Sequence, residues 1–172
     1  MRLALDGTGY LYVADANDEV RRIDLQTTEV SRFIVSSGGS PPRDGAIADA
    51  SVATVAGFAS GGPGLVYFTD QGGIRQISTT DARVTTLANV LAYALAYDGA
   101  GTLYFGKETT VGAFDVSARS FVALAGVDGQ MGVQTGPLPA SLSFVRELAF
   151  FAPGSLLAIS ENTVLRMDLL GH

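Results

Sequence analysis

The fold is decided by a stretch near the start of the chain, LALDGTGYLYVAD at Leu3–Asp15. Its second part, Leu11–Asp15, returns as Val66–Asp70, as Leu103–Lys107 and, less closely, as Leu156–Ser160. The copies begin 55, 37 and 53 residues apart. Because self-similarity at intervals of this order is typical of repeat architectures, the chain is predicted to consist of four related units.

Each unit divides into short runs rich in β-branched and aromatic residues, separated by turn residues. In the first unit the runs are Leu3–Leu5, Tyr10–Ala14, Val20–Asp24 and Glu29–Val35. A counterpart of the third run occurs in every later unit, at Ile74–Ser78, Val111–Asp115 and Val164–Asp168. Turns such as Asp6–Gly9 and Asp98–Gly101 contain glycine, which supplies the positive φ of tight hairpins. The pattern predicts four-stranded antiparallel sheets.

The second run of the first unit is apolar on both sides. Leu11 and Val13 point to one side of the strand, whereas Tyr12 and Ala14 point to the other. Blades stacked around a propeller axis bury both faces of each sheet, so this pattern favours a β-propeller. The tyrosines that recur at equivalent strand positions are predicted to lie in the core between blades: Tyr12, Tyr67 and Tyr104.

The same residues carry a resemblance to a known family. The run Leu3–Asp15, followed by Val20–Asp24, resembles an NHL repeat, and Gly39–Gly45 resembles the long linker between such repeats. The chain departs from the family at Asn17 and Asp18, where an Asn-His pair is typical. The resemblance implies a β-propeller, commonly a ring of six blades.

The chain is therefore predicted to be an all-β propeller segment over residues 1–172, with about four blades of four antiparallel strands. The predicted blades span residues 1–54, 55–91, 92–143 and 144–172, and the last blade lacks its outer strand. The simplest interpretation is part of a longer, six-bladed ring, and a closed ring of four blades is the alternative. In an open arc the terminal blades would expose apolar faces, which predicts self-association.

Composition excludes several classes of function. The net charge is −6, so the chain as a whole lacks the excess of basic residues that nucleic-acid binding requires. The chain has no cysteine, and its single histidine is the last residue, His172, so zinc sites and serine–histidine catalysis are not expected. No apolar run approaches the ~20 residues of a membrane span, and no signal peptide precedes the first strand. The compartment stays open: cytosolic, or secreted or otherwise extracytoplasmic if the chain is a fragment of a longer protein.

In an antiparallel blade, the loop between the second and third strands and the link to the next blade lie at the same end. This end is called the loop end below. The two long inserts, Ser36–Thr54 and Gly126–Ser143, are therefore expected at the loop end. Nine acidic residues occur in these connections, against only Arg43 and Lys107 as bases, and the nine are predicted to form an acidic docking surface. They are Asp15, Asp18, Glu19, Asp44, Asp49, Asp70, Glu108, Asp128 and Glu161. Asp15 and Asp70, which occupy equivalent positions, are also expected to cap their own turns.

Two functions are compatible with this pattern. The preferred hypothesis is a non-catalytic binding or scaffolding propeller, without a cofactor or catalytic residue, whose acidic surface docks a protein, a peptide or a cationic ligand. The alternative is part of a metal-dependent propeller enzyme, a lyase or lactonase-like hydrolase, with carboxylate ligands at the mouth of the channel. Such oxygen ligands would suit calcium. The lack of a usable histidine base favours the first hypothesis.

Overall fold

A computed structural model describes residues 2–169, and the only regular elements in that range are β-strands. They form four small antiparallel sheets, which confirms the predicted all-β propeller fold. The chain divides into two compact units, the first ending at Leu91 and the second beginning at Ala92. Across residues 2–169 no helix is long and apolar enough to cross a membrane. His172 lies outside the described residues.

The first unit contains two blades and the first insert. The strands of blade 1 are β1 (Arg2–Leu5), β2 (Tyr10–Ala14), β3 (Val20–Asp24) and β4 (Val30–Ser36). The insert adds two short strands, β5 (Gly45–Ala46) and β6 (Ser51–Val52). The strands of blade 2 are β7 (Gly57–Gly62), β8 (Leu65–Asp70), β9 (Gly73–Ser78) and β10 (Arg83–Ala88). Consecutive strands within each blade pair antiparallel, and the bounds in blade 1 lie within one residue of those predicted.

The second unit contains the other two blades. The strands of blade 3 are β11 (Ala94–Tyr97), β12 (Thr102–Lys107), β13 (Thr110–Asp115) and β14 (Ser120–Ala125). The strands of blade 4 are β15 (Val145–Ala152), β16 (Ser155–Ser160) and β17 (Thr163–Asp168). Blade 4 thus has three strands within the described residues, and β17 is the edge of its sheet.

Aspartates pin the first hairpin of blades 1 and 3. Asp6 Oδ1 accepts hydrogen bonds from the backbone N–H groups of Thr8 (2.8 Å) and Tyr10 (3.2 Å). Asp98 Oδ1 accepts the equivalent bonds from Ala100 (2.7 Å) and Thr102 (3.0 Å). These carboxylates accept hydrogen bonds from N–H groups that lack a backbone acceptor in a tight turn. Because each aspartate lies in the turn that it stabilises, the local sequence specifies the turn.

Each unit has its own apolar core. In the first unit, blades 1 and 2 and the insert pack around residues such as Tyr12, Phe68 and Val52, which are buried. Tyr67 is also buried as predicted, whereas Tyr104 in the second unit is half-buried and stacks on Phe150.

Burial of the second strand on both faces holds for β8 but not for β2. Five of the six residues of β8 are buried. In β2, Tyr12 and Ala14 are buried, but Leu11 and Val13 are only half-buried. The adjacent strand β1 leaves Leu3 and Leu5 53% and 48% exposed, so this side of blade 1 has no cover within its unit.

Candidate functional site

The first insert leaves the loop end and runs along the outer edge of blade 2. Its strand β5 pairs antiparallel with β10, and the N–H of Ile47 donates to the Ala82 carbonyl (2.9 Å) in the turn at the opposite end of the blade. The chain then reverses, with Arg43 and Ser51 forming an antiparallel bridge. The expectation that the whole insert lies at the loop end was therefore wrong. Asp49, two residues after Ile47, lies away from that end.

A buried arginine holds this insert in place. The Arg75 side chain is only 1% exposed, and its Nη1 donates to the Ser51 carbonyl (2.9 Å) and to Asp70 Oδ2 (2.7 Å). Its Nη2 donates to the Arg43 carbonyl (2.7 Å) and to Asp44 Oδ1 (2.9 Å). Every one of these acceptors except Asp70 belongs to the insert. Arg75 thus ties a long irregular segment to the third strand of blade 2, which leaves little room for the insert to move.

Asp44 links the insert to the outer strand as well as to Arg75. Its Oδ2 accepts the backbone N–H of Thr86 (2.7 Å), and its Oδ1 accepts the Thr86 hydroxyl (2.9 Å). Partial burial works to raise the pKa of Asp44, but the bonds from Thr86 and Arg75 outweigh burial and hold the pKa below its ordinary value. Although its side chain is 43% exposed, both carboxylate oxygens already have partners.

Asp70 is buried and cannot meet a partner at the surface. Its Oδ1 accepts the N–H of Gly72 (2.8 Å), and its Oδ2 accepts the N–H of Ala53 (3.3 Å) as well as Arg75. Burial raises the pKa of the Asp70 carboxyl, while Arg75 and the two N–H groups oppose that rise. Asp70 therefore caps its turn, as predicted, but it is removed from the surface open to docking.

The equivalent pair in blade 1, Arg21 and Asp15, is only half-buried. Asp15 Oδ1 accepts the N–H groups of Asn17 (2.9 Å) and Glu19 (3.2 Å), which confirms the predicted cap. Its Oδ2 lies 2.6 Å from Arg21 Nε, and this bond holds the pKa of Asp15 below its ordinary value. Glu19 Oε2 also contacts Arg21 (3.4 Å) and Arg32 (3.3 Å). Strand arginines therefore neutralise much of the acidity that the sequence placed on blade 1.

The second unit brings three of the predicted acids to one loop end. The N–H of Val145 donates to the Glu108 carbonyl (2.7 Å), and the N–H of Glu161 donates to the Phe144 carbonyl (3.0 Å). The two turns that carry these glutamates therefore flank the same short segment. The Thr109 hydroxyl donates to the Val127 carbonyl (3.0 Å) and accepts the N–H of Gly129 (3.1 Å). Asp128, between those two residues, is thus held beside the Glu108 turn.

Some of the nine predicted acids have side-chain hydrogen bonds or ion pairs, and others do not. The Glu161 carboxylate accepts a short hydrogen bond from the Ser143 hydroxyl. Within residues 2–169, four of the nine acids are exposed and have no side-chain hydrogen bond or ion pair: Asp18, Asp49, Glu108 and Asp128. In the same range no group of three or more His, Cys, Asp or Glu side chains could hold a metal ion.

Both inserts border a groove. In the first unit, Pro41 and Pro42 face the turn at Gln71–Gly73 and the exposed Leu91 across a groove of about 490 Å³. In the second unit, residues 134–142 of the insert face strand β17 across a groove of about 450 Å³. Clefts beside ordered loops are the usual location of binding sites.

The sequence reasoning missed the importance of Arg75. A signal was present, because Arg21 and Arg75 occupy the same position in their repeats and follow the equivalent aspartates Asp15 and Asp70. That recurrence predicts an ion pair within each blade. It does not predict that one pair is half-buried and that the other is fully buried under an insert that contributes Asp44.

Several solved structures share this fold at low sequence identity. A protein of unknown function from Bacteroides thetaiotaomicron has a TM-score of 0.68 and 16% identity, over 96% of this chain and 46% of its own. An auxiliary nutrient binding protein from the same species has a TM-score of 0.61 and 16% identity, over 96% of this chain and 37% of its own. A protein described in the same words from Bacteroides ovatus has a TM-score of 0.65 and 14% identity, over 97% and 38%.

The fold is that of a β-propeller. The chain spans less than half the length of these three proteins. No protein-family profile matches the chain, and no curated protein has significant similarity to it. Membership of the NHL-repeat family therefore stays a prediction. The propeller fold is shown by the four sheets and by the similarity to these solved structures.

Proposed function

We propose that this chain is a non-catalytic binding module that docks a cationic protein or peptide at the loop end of its second unit. The observation that carries the proposal is the pair Glu108 and Asp128. Both side chains are exposed and unpaired, and the Thr109 hydroxyl ties the backbone on either side of Asp128 to the turn that carries Glu108. Free carboxylates on a rigid support attract a cationic partner without first losing an internal ion pair.

The backbone is strained at the same turns. Glu108 and Glu161 have φ values of 41° and 52°, in the left-handed region that favours glycine. They occupy the same position in the second-to-third turns of blades 3 and 4. A glutamate there costs on the order of 1 kcal/mol relative to an unstrained turn. A glycine at position 108 would relieve this strain and remove the carboxylate, so it can separate the effect on binding from the effect on stability.

Two further points favour binding over catalysis. Within residues 2–169 no three or more His, Cys, Asp or Glu side chains are placed so that they could hold a metal ion, as the calcium-dependent hydrolase or lyase would require. Two of the solved neighbours are described as auxiliary nutrient binding proteins. The enzyme alternative has no comparable observation in its favour.

The test compares two double variants of equal charge change. Glu108→Gln with Asp128→Asn removes the proposed site, while Glu29→Gln with Asp49→Asn removes two exposed, unpaired carboxylates away from the loop end. Binding of a fluorescent lysine-rich peptide is measured by anisotropy at low salt and at ~0.15 M salt, where screening acts over ~8 Å. The first variant should weaken binding about fivefold, as expected for two screened contacts worth ~0.5 kcal/mol each. The second should not.

A third variant separates binding from folding. Glu108→Gly relieves the left-handed strain, so the thermal midpoint should hold or rise while peptide binding falls. Equal loss of binding in both double variants, or binding that salt does not affect, would refute a specific acidic site and leave only a general effect of net charge.

A further inference from the structure

Four aspartates of this chain are followed directly by glycine: Asp6, Asp44, Asp98 and Asp128. In an aspartate–glycine pair the glycine nitrogen can attack the side-chain carboxyl of the aspartate and close a five-membered imide. Glycine is the least hindered partner for this attack, because it has no Cβ beside the nitrogen. The reaction requires a carboxyl group that is free to turn towards the backbone, so the hydrogen bonds of each carboxylate decide which pair can react.

Three of the four carboxylates are held away from this reaction. Asp6 is fully buried, and its two oxygens accept four hydrogen bonds. Asp98 Oδ1 accepts two backbone N–H groups, and both oxygens of Asp44 accept bonds from Thr86 or Arg75. Burial works to raise the pKa of all three carboxyls, but their hydrogen bonds outweigh burial and hold each pKa below its ordinary value. An ionised carboxylate has no hydroxyl to lose as water, so the same bonds oppose the reaction twice.

Asp128 differs from these three. Within residues 2–169 its side chain is exposed and has no hydrogen bond or ion pair. It lies in a tight turn, in which the N–H of Gln130 donates to the Val127 carbonyl (3.0 Å) and Gly129 has a φ of 75°, as in a type II turn. A Cβ added to Gly129 would meet no heavy atom within 4 Å, so the space around the turn is open. The carboxyl group of Asp128 is therefore free to rotate towards the Gly129 nitrogen.

Thr109 restrains the attacking nitrogen rather than the carboxyl. The Gly129 N–H donates to Thr109 Oγ1 (3.1 Å), and the Thr109 hydroxyl donates in turn to the Val127 carbonyl (3.0 Å). Thr109 is only 2% exposed, so solvent does not compete for these bonds. The nitrogen must leave Thr109 before it can attack. One hydrogen bond opposes the reaction at Asp128, whereas at least two hold the carboxylate of each other pair.

We propose that Asp128 and Gly129 form a site of spontaneous backbone modification, at which Asp128 becomes isoaspartate, and that Thr109 slows the reaction. The Gly129 nitrogen forms a bond to Asp128 Cγ, and the proton of the nitrogen leaves with the carboxyl hydroxyl as water. A second water molecule then opens the imide at the former backbone carbonyl of Asp128. The main chain now runs through Cβ and Cγ, and the former backbone carbonyl becomes the free carboxylate. One water is lost and one is gained, and no atom is oxidised or reduced.

The modification changes the geometry of the turn without changing its charge. It lengthens the backbone by one methylene group and attaches the carboxylate directly to the Cα of residue 128. The bonds from Thr109 on either side of Asp128 then no longer match the length of the chain between them. The consequence for binding rests on the proposed function: the spacing of the Glu108 and Asp128 carboxylates changes, so modified chain should bind the lysine-rich peptide more weakly than fresh chain.

Water labelled with heavy oxygen detects the reaction, because opening of the imide introduces one oxygen atom from the solvent. The folded chain is kept for weeks in labelled water at neutral pH, digested with trypsin in ordinary water and analysed by mass spectrometry. Cleavage after Arg and Lys places the four pairs in four peptides, and the peptide of residues 120–146 has no acid other than Asp128. That peptide should gain label, while the other three stay unlabelled. Electron-transfer fragmentation should show isoaspartate at residue 128.

The unfolded chain is the control for intrinsic reactivity. In guanidinium the hydrogen bonds of all four carboxylates are lost, so all four peptides should gain label. A difference that appears only in the folded chain is then due to the structure and not to the residues beside each pair.

Two variants test the chemistry and the restraint separately. Asp128→Glu keeps a carboxylate but would have to close a larger ring, so its peptide should stay unlabelled. Thr109→Val removes the hydroxyl that holds the Gly129 N–H, and the peptide of residues 120–146 should then gain label about fivefold faster, as expected for the loss of one ordinary hydrogen bond. The other three peptides of this variant should stay unlabelled, which distinguishes local release of the turn from general unfolding.

Three results would overturn the proposal: equal labelling of all four peptides in the folded chain, no label at residue 128 in the folded chain, or a rate that Thr109→Val does not change. The labelling experiment does not depend on peptide binding, so it can succeed while the proposed function fails. Modified chain that carries isoaspartate at residue 128 and binds the lysine-rich peptide as tightly as fresh chain would support the modification and count against the proposed function.

Discussion

Replacement of Arg75 by leucine tests whether one buried side chain holds the first insert. The change leaves Asp70, whose side chain is fully buried, without the partner that lies 2.7 Å away. Removal of one member of a buried ion pair costs about 3–5 kcal/mol, and the carbonyls of Ser51 and Arg43 lose a donor as well. A domain of this size typically has a free energy of unfolding of ~5–15 kcal/mol, so the variant should fold. Its thermal midpoint should fall by roughly 10 °C.

Blade 4 supplies a matched second variant. Leu165 and Ser160 occupy the positions of Arg75 and Asp70, and the Ser160 hydroxyl accepts the N–H of Ser143 (2.9 Å) as Asp70 accepts that of Ala53. Asp70→Ser combined with Arg75→Leu should therefore be more stable than Arg75→Leu alone, by at least ~1 kcal/mol, because no buried charge is left unpaired.

The assay is urea unfolding followed by circular dichroism, with hydrogen exchange of the insert amides. Arg21→Leu is the control, because the Arg21 side chain is 37% exposed and its loss should cost less than ~1 kcal/mol. Loss of Arg75 should raise the pKa of Asp70 further, so the deficit of Arg75→Leu should shrink as the pH falls from ~7 to ~5. Equal destabilisation by Arg75→Leu and Arg21→Leu, or a double variant no better than the single one, would refute the anchor.

Two further predictions concern turns and acid stability. Gly73 has a φ of 108°, and a Cβ added there would overlap the Ala88 carbonyl oxygen, so Gly73→Ala should destabilise the fold by more than ~2 kcal/mol in urea titrations. Gly101 has a φ of 120°, but a Cβ added there would meet no atom, so Gly101→Ala should cost about 1 kcal/mol. Equal costs would show that the overlap is relieved. Six aspartates have a pKa below the ordinary value, so their stabilisation is complete above about pH 4 and is lost as the pH falls through their folded-state pKa values. The urea midpoint should therefore drop steeply below about pH 4, and an unchanged midpoint at about pH 3 would contradict the assignment. The six are Asp6, Asp15, Asp24, Asp44, Asp98 and Asp115.

The expected positions of Asp49 at the loop end and of Asp70 on the surface were wrong, because long-range contacts decide both. The prediction of nine surface acids assumed that each connection between strands is an independent, exposed loop. The observed positions depend on pairs such as Arg75 with Asp44, which are 31 residues apart in sequence. Burial of Asp70 follows from the same contacts, since the insert covers it and donates the Ala53 N–H. In the second unit, backbone hydrogen bonds hold the short turns that carry Glu108 and Glu161 against the same segment, residues 144–145.

The sequence alone determined the blades. The signals for each hairpin act over a few residues: the alternation of apolar residues, the glycine turns and, in two blades, the aspartates Asp6 and Asp98. Each hairpin is therefore specified by its own segment, and the strand pattern recurs in four units. Tertiary structure alone decided the path of the first insert and the burial of Arg75. An irregular insert carries no periodic signal, and its path is chosen by whichever distant donors and apolar surfaces it can satisfy at once. For this reason the equivalent residues Arg21 and Arg75 occupy the same position in the repeat and yet have side chains that are 37% and 1% exposed.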